Sequence, residues 1–159
     1  MTVYTTTDSP IGELLLAGER GDGGTTLTTL SMGAAKAPAA DWVRDPAAFT
    51  AIGAQVNAYL AGELTRFDIE FTSGGTEFQR RVWRALDDVP YGSTVSYGAL
   101  TQRIGASRAA TRAVGAALGA NPLLIVRPCH RVIGANGALT GFAGGLDRKR
   151  WLLGLERAA

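Results

Sequence analysis

The sequence predicts an α+β protein in which a small N-terminal sheet region precedes a helical region with a helix-turn-helix. Three observations predict this order. β-rich runs separated by turn residues fill the first 32 residues, helical apolar stripes dominate after residue 75, and two short helical segments flank Gly105. A length of 159 residues with 46% hydrophobic residues suits one domain or two small ones that bury real cores.

The first half of the chain predicts strands and one helix. TVYTTT, ELLLAG and TTLTTLSM are β-rich, and turn residues in DSPIG and ERGDGG join them, which predicts an antiparallel meander. After an Ala/Gly/Pro loop at 33–40, we expect Asp45 to cap a helix that has Pro46 at its first position. Its apolar residues fall on one face: Phe49, Ile52, Val56, Tyr59 and Leu60. Alternation of apolar and charged residues in RFDIEF, residues 66–71, predicts a half-buried strand.

The second half predicts helices. The TSGG linker places the domain boundary between 1–74 and 75–159, and TEFQ forms a capping box at the start of the first helix. Ser96 and Ser107 are expected to cap the two helices of the helix-turn-helix. LLIV predicts a buried strand, and Asp147 is expected to cap a last helix.

Charge is distributed unevenly along the chain. Residues 1–78 hold four basic and ten acidic side chains, a balance of −6, whereas residues 79–159 hold twelve basic and four acidic ones, a balance of +8. Eleven of those twelve cations are arginine, which grips phosphates well. Charge alone leaves a polyanion-binding surface and an ordinary solvated surface equally favoured.

The second helix of the helix-turn-helix has two different faces. At 100° per residue, one face is apolar and is expected to pack inward: Ala110, Val114, Ala117 and Leu118. The other face carries two arginines among small residues: Arg108, Arg112, Gly115, Ala116 and Gly119. Each glycine costs a helix about 1 kcal/mol relative to alanine, so both need a reason. Tight helix packing is one reason, but the arginines favour insertion into a nucleic-acid groove.

The only cysteine and the only histidine are adjacent, at Cys129 and His130. A free cysteine is more often an inert buried residue than a nucleophile. Here Pro128 fixes the backbone before it, and His130, Arg127 and Arg131 supply positive charge that is expected to favour the thiolate. These flanking residues favour a reactive cysteine.

Composition also limits the other classes of site. One cysteine cannot form an internal disulfide, and no N-terminal apolar run resembles a signal peptide or a membrane span, so we expect a cytoplasmic protein without a membrane segment. One Cys and one His cannot supply a four-ligand zinc site. We therefore expect neither a metal of that type nor a cofactor.

The motifs around Cys129 resemble a known family. PCHRVIG, preceded by NP and followed by TGFAGG and RKRWLLGLE, is similar to the active-site region of the O6-alkylguanine-DNA alkyltransferases, also called methylated-DNA-protein-cysteine methyltransferases. SPIG, TEFQRRVWRAL, VPYGSTVSYGAL and RAVGAALGANP match the same family in order. The resemblance covers essentially the whole chain.

The resemblance implies a fold and an activity. The fold would be an N-terminal ribonuclease-H-like sheet domain and a C-terminal helical domain whose helix-turn-helix enters the DNA minor groove. The activity would be direct-reversal repair, in which an alkylated guanine, and also O4-alkylthymine, is flipped out of duplex DNA and its alkyl group moves to a cysteine. Because the thioether product is stable, each molecule would act once. The resemblance implies a monomer, and leaves cooperative assembly on DNA open.

The resemblance also assigns roles to residues. Cys129 would accept the alkyl group, and His130 and Glu156 would form a Cys-water-His-Glu relay with it, although helical periodicity alone makes Glu156 a surface charge. Tyr97 would donate a proton toward the leaving base, and Asn121 would tie backbone together beneath the helix-turn-helix. The pocket residues would be Val132, Phe142, Ala143 and Gly144, on a loop from Thr140 to Gly145 with the Ala143 N–H near the alkylated oxygen.

The DNA-binding residues implied by the resemblance coincide with the outer helical face. Arg112 would fill the space that the flipped base leaves, with the other contacts coming from Arg108, Gly115, Ala116, Gly119 and Tyr97. Three single residues depart from the family: Phe142 replaces the tyrosine of some relatives, Ala143 replaces the serine of some, and Arg127 stands where an aliphatic residue is expected. The GASRAAT turn is about one residue longer than the common form, and the structural zinc of some relatives lacks its ligands.

Two other functions compete with this interpretation. A cysteine hydrolase would need a base in contact with the thiol, and adjacent side chains on an extended chain point apart. A DNA-binding regulator without catalysis would explain the helix-turn-helix and the charge, but it would leave Cys129 without a role.

Overall fold

The structure is a computed structural model that describes residues 1–32 and 37–157. The chain divides into two compact units, Met1–Ser73 and Gly74–Ala159. Residues 33–36, part of the predicted Ala/Gly/Pro loop, lie outside the described residues. No described helix combines the length and the apolar character needed to cross a membrane.

The first unit contains a four-stranded sheet. Its strands are β1 (Thr2–Thr7), β2 (Leu14–Gly21), β3 (Gly24–Met32) and β4 (Val43–Arg44), in the order β3-β2-β1-β4. β1, β2 and β3 pair antiparallel, which confirms the predicted meander, and β4 adds parallel to β1. The register shifts between Ala17 and Gly18, where a Cβ on Gly18 would lie 2.3 Å from the Thr26 carbonyl oxygen, so the bulge requires glycine.

One helix covers this sheet, and it begins differently from the prediction. A 3₁₀ turn at Pro46–Phe49 precedes helix α1 (Thr50–Leu60), and the Asp45 side chain makes no capping hydrogen bond. Asp45 instead forms an ion pair with Arg20, with 2.6 Å between Nη1 and Oδ2. The predicted apolar face is confirmed, because its members are all buried: Phe49, Ile52, Val56, Tyr59 and Leu60.

The strand predicted at 66–71 is wrong. This segment makes only one isolated bridge to the sheet, between Leu27 and Phe71. The backbone of Asp68 hydrogen-bonds the Gln55 side chain instead, with Asp68 N at 2.8 Å from Oε1 and Asp68 O at 2.9 Å from Nε2. The Gln55 side chain on α1 therefore supplies the hydrogen bonds that a neighbouring strand would have supplied.

The second unit consists mainly of helices. They are α2 (Glu77–Leu86), α3 (Tyr97–Arg103), α4 (Thr111–Gly119) and α5 (Leu146–Arg157), with two short parallel strands, β5 (Val95–Ser96) and β6 (Val132–Ile133). The capping box of α2 is confirmed, because Thr76 Oγ1 accepts from Gln79 N and Thr76 N donates to Gln79 Oε1. The Trp83 indole N–H then donates to the Ala117 carbonyl at 2.9 Å and joins α2 to α4.

The helix-turn-helix consists of α3 and α4. Ser96 caps α3 as predicted, because its hydroxyl accepts from Ala99 N at 3.0 Å. Ser107 makes no side-chain cap, and a 3₁₀ turn at Arg108–Ala110 precedes α4. The predicted start of the second helix is therefore corrected by one turn.

Two further predictions in this unit are wrong. LLIV is a buried turn and not a strand, with Ile125 at φ 71° and Arg127 N donating to the Leu123 carbonyl at 2.9 Å. Helix α5 begins at Leu146, so Asp147 lies inside its first turn and does not cap it. The turn at LLIV matters for the site, because the chain runs from it into the segment that carries Cys129.

Candidate active site

Cys129 lies at the end of the LLIV turn, in a short 3₁₀ segment at Cys129–Arg131. The buried Asn121 side chain holds this turn together: its Oδ1 accepts from Leu123 N at 3.0 Å and its Nδ2 donates to the Arg127 carbonyl at 3.3 Å. The Cys129 N–H donates to the same carbonyl at 2.7 Å. Asn121 therefore fixes the backbone on which the cysteine stands.

A cavity of about 300 Å³ opens beside the cysteine. Its lining combines the cysteine, the outer face of α4 and the loop after β6: Tyr97, Gly115, Leu118, Gly119, Cys129, Thr140, Gly141, Phe142 and Ala143. Of the four predicted pocket residues, Phe142 and Ala143 line the cavity. Val132 and Gly144 are buried outside it, where their carbonyls accept from Lys149 and Arg148 respectively.

The two glycines of α4 border this cavity and pack against no other helix. A Cβ added at Gly115 or Gly119 would meet nothing within 4 Å beyond the helix's own backbone. Tight helix packing therefore does not explain them. The same face also exposes Arg108, Arg112 and Ala116. This surface therefore combines two exposed cations with small residues that leave the helix backbone accessible.

Tyr97 stands at the wall of the cavity. It is the first residue of α3, and its hydroxyl donates to the Thr140 carbonyl at 3.0 Å. This bond ties the helix-turn-helix to the start of the loop that carries Phe142 and Ala143. The phenol of Tyr97 thus borders the same space as Cys129.

Behind the cysteine lies a buried cluster of charged side chains. Glu156 is 2% exposed and His130 is fully buried. Glu156 Oε2 lies 2.8 Å from His130 Nε2, and Arg131 forms a fork with the same carboxylate, with Nε 2.8 Å from Oε1 and Nη2 2.9 Å from Oε2. The surface position that periodicity gave Glu156 is wrong, and the His130–Glu156 contact expected from the resemblance is present.

Lys149 also belongs to this cluster, although no motif indicated it, and it has no exposed surface. Its Nζ donates to the Val132 carbonyl at 2.6 Å and to the Thr140 carbonyl at 2.8 Å, and it lies 5.9 Å from the centre of the Tyr97 ring. The signal was in the spacing, because Lys149, Leu152 and Glu156 fall on one helical face. Two charges on an otherwise apolar face indicate a buried polar cluster.

Burial raises the pKa of the Cys129 thiol from 9.0 to about 11, although the Asn121 side chain and the Lys149 charge both lower it. The expectation that flanking cations favour the thiolate is therefore wrong for the resting protein. The reason is that desolvation outweighs the nearby charges. At pH 7 about one molecule in 10⁴ carries a thiolate, so the cysteine needs a base.

The imidazole beside it is suited to that task. Burial lowers the pKa of His130 below 6.5, and the charges of Arg131 and Lys149 lower it further against the opposing effect of Glu156. His130 is therefore neutral at pH 7. Because a carboxylate can only accept hydrogen bonds, Nε2 carries the proton and Nδ1 carries the lone pair.

Several cations counted in the basic half are not available to a partner. Arg131 is 8% exposed and Lys149 is fully buried. Arg127 is half-buried over the Trp83 ring, with 4.6 Å from Cζ to the ring centre, and burial lowers the pKa of Arg127. The surface cations that remain include Arg112 on α4 and Arg108 in the turn before it.

The described residues contain no group of three or more His, Cys, Asp or Glu side chains that could hold a metal ion. The fold and the site together define a class: an α+β protein in which the outer face of a helix-turn-helix adjoins a cavity that contains a buried cysteine and a His-Glu pair.

Known proteins with this arrangement match along the whole chain. Residues 2–72 match the ribonuclease-like domain of 6-O-methylguanine DNA methyltransferase, and residues 77–158 match the DNA-binding domain of the same family. A methylated-DNA--protein-cysteine methyltransferase of Mycolicibacterium paratuberculosis is 55% identical over 159 residues, which cover 99% of this chain and 93% of that protein. The chain belongs to the methylated-DNA--protein-cysteine methyltransferase family.

Solved structures give the same result. The Mycobacterium tuberculosis O6-methylguanine methyltransferase superposes with a TM-score of 0.90 at 52% identity, over 99% of this chain and 94% of that chain. A structure of OGT from the same organism in complex with DNA gives a TM-score of 0.90 at 53% identity, over 98% of this chain and 93% of that chain. The predicted fold class is confirmed.

Proposed function

We propose that the protein repairs DNA by direct reversal, moving an alkyl group from O6 of guanine in duplex DNA to Sγ of Cys129. The observation that carries this proposal is that one cavity is lined both by Cys129 and by Gly115 and Gly119 of the outer α4 face. A base that leaves a duplex lying on that face enters a cavity with the cysteine in its lining. The family membership and the DNA complex of the related OGT support the same function.

The cavity and the buried charged cluster next to Cys129 together supply the groups that the reaction needs. His130 takes the thiol proton, by way of a water molecule, and its imidazolium charge is stabilised by Glu156 at 2.8 Å. The thiolate attacks the alkyl carbon, so the S–C bond forms as the C–O6 bond breaks. Tyr97 borders the cavity and donates a proton to the departing guanine, and the proton that His130 took returns to the Tyr97 phenolate through water.

The outer α4 face handles the DNA. Small residues allow the helix backbone to approach the floor of the minor groove, with Ala116 beside the two glycines. Arg112 enters the base stack where the alkylated nucleotide has left, and Arg108 contacts phosphate. Taking a base out of the stack costs a few kcal/mol, and Arg112 offsets part of that cost.

The chemistry fixes the stoichiometry. A thioether is not hydrolysed under mild conditions, so each molecule transfers one alkyl group.

O4-alkylthymine presents a similar alkyl–oxygen bond and is a second substrate. The chain acts in the cytoplasm as a monomer without a cofactor, with residues 1–74 as a ribonuclease-H-like domain and 75–159 as the DNA-binding and transfer domain.

Mass spectrometry after incubation with a duplex that contains O6-methylguanine tests this function. We expect one added methyl group, about 14 Da, on the peptide that carries Cys129, and an amount of repaired DNA equal to the amount of protein. Multiple turnovers would contradict single use. An unmodified protein that binds DNA would indicate a regulator, and peptide or ester turnover would indicate a hydrolase.

A further inference from the structure

Arg131 is a buried cation to which the transfer reaction assigns no role. It follows His130 directly and is 8% exposed. Its guanidinium makes three charge-assisted contacts, two to the Glu156 carboxylate and one from Nη1 to the Val89 carbonyl at 2.7 Å. A cation held this way inside the protein does not meet a DNA phosphate.

The geometry makes Arg131 and His130 share one anion. The fork of Arg131 reaches both carboxylate oxygens, and Oε2 also faces His130 Nε2. A bidentate arginine orients the carboxylate plane and offsets its charge. Without it, the full negative charge of a buried carboxylate would act on the imidazole alone.

We propose that Arg131 is a positioning residue that orients Glu156 and balances its charge, so that His130 remains a neutral imidazole with Nδ1 as its proton acceptor. This inference rests on the proposed alkyl transfer, because the neutral ring matters only if it takes the proton of Cys129. A cysteine protonated at neutral pH needs an acceptor that does not already hold a second proton.

Burial has the largest effect and lowers the pKa of His130, and the charged groups around the imidazole act in opposite senses. Glu156 on α5 raises the pKa of His130, while Arg131 beside it and Lys149 on α5 both lower it. Cys129 precedes the histidine, and the Tyr91 ring lies 5.7 Å from the Arg131 guanidinium, where burial and Glu156 raise the pKa of that phenol. Arg131 is the cation in direct contact with the carboxylate, so its removal has the largest expected effect on His130.

The test uses the full chain and reads the imidazole by ¹⁵N NMR, because His130 is the only histidine. In the wild type we expect a neutral ring at pH 7 with the proton on Nε2. In Arg131→Met we expect the titration midpoint of His130 to rise by at least about one pH unit, roughly a tenfold change in proton affinity. In Arg131→Lys, which keeps the positive charge, we expect the midpoint to stay close to the wild-type value. Arg150→Met is the control, since Arg150 lies exposed on α5 and pairs with Asp147.

The same variants are compared for transfer to a free O6-alkylguanine base as a function of pH. The acid limb of the rate profile is expected to move to higher pH together with the NMR midpoint in Arg131→Met, and to stay in place in Arg150→Met.

An unchanged midpoint in a folded Arg131→Met protein overturns the proposal. If that variant does not fold, a charged imidazole in the wild type at pH 7 overturns it. Absence of transfer by the wild type would instead refute the proposed function, and the NMR result would still stand on its own.

Discussion

The outer face of α4 and the buried face of α5 both carry cations, but the two faces use them differently. Arg112 on α4 and Arg108 in the 3₁₀ turn before it are exposed beside small residues that leave the helix backbone open. On α5, Lys149 and Glu156 are buried, where Lys149 donates to the Val132 carbonyl and Glu156 contacts His130. The first face is suited to a polyanion outside the protein, and the second to control of the protonation of Cys129.

This difference shows that a charge total cannot assign a function to a cation. The second half of the chain has twelve basic residues, yet Arg131 and Lys149 are buried and hold a carboxylate and loop carbonyls. Burial decides between the two uses, because a desolvated cation must be paired where it lies.

The largest expected effect is that of Cys129→Ala. We expect complete loss of alkyl transfer, with duplex affinity within about threefold of the wild type, because phosphate contacts supply most of the binding energy. A gel-shift titration at fixed salt, alongside a transfer assay, measures both. A large loss of affinity would show that Cys129 contributes to DNA binding, and would contradict the separation of binding from chemistry.

Glu156→Gln is expected to slow transfer about 10²-fold on every substrate, because a histidine without its carboxylate partner is a weaker base. The apparent pKa of Cys129 is also expected to rise. Stopped-flow rates across pH measure this, with thermal unfolding as the control, since Gln leaves the Arg131 fork without an anion. An unchanged pH–rate profile would make Glu156 a structural residue only.

Arg112→Ala is expected to slow repair of duplex DNA about tenfold, because an unfilled gap makes base extrusion less favourable. The loss of one cation lowers the salt slope of duplex binding by about one. Gly115→Leu is expected to act similarly, since its side chain would fill the open space over the helix. Duplex repair at wild-type rates in both variants would show that this face does not meet the groove.

The smallest expected effect concerns stability at alkaline pH. Because the pKa of Cys129 is about 11 in the folded protein against 9.0 for an ordinary thiol, the folded state retains a proton that the unfolded state loses. The thiol's contribution is fully present below pH 9 and is lost as pH rises toward 11, by about 2–3 kcal/mol. Denaturant unfolding of the wild type and Cys129→Ala measures the difference, and parallel curves would contradict the burial of the thiol.

Local patterns in the sequence predicted most of the fold, and they failed where a side chain supplied the backbone's partner. The capping box at Thr76 and the apolar stripe of α1 depend on neighbouring residues, so periodicity finds them. RFDIEF and LLIV have strand-like patterns, but Gln55 and Asn121 hydrogen-bond their backbones instead. Side-chain contacts to the backbone leave no period in the sequence, whether the partner is near, as for Asn121, or distant, as for Gln55.

The sequence predicted which residues form the candidate site, but it did not predict the direction in which the pKa of Cys129 is shifted. The motif around Cys129 indicated the reacting residues, but no pattern shows that desolvation of the thiol outweighs its cationic neighbours. Lys149 was counted only within the charge balance, and Arg131 was expected to favour the thiolate, but no pattern indicated that both are buried. Their burial depends on packing around Glu156 and the loop at Thr140, which only the folded structure shows.

The ratio of second-order rates on duplex and free-base substrates, measured for Arg112→Ala and Glu156→Gln together, tests the separation of the two faces most directly. A free O6-alkylguanine base pays no extrusion cost, so its rate reports chemistry alone. We predict that the duplex-to-free-base ratio falls about tenfold in Arg112→Ala and is unchanged in Glu156→Gln. Equal changes of the ratio in both variants, or no change in Arg112→Ala, would contradict the account.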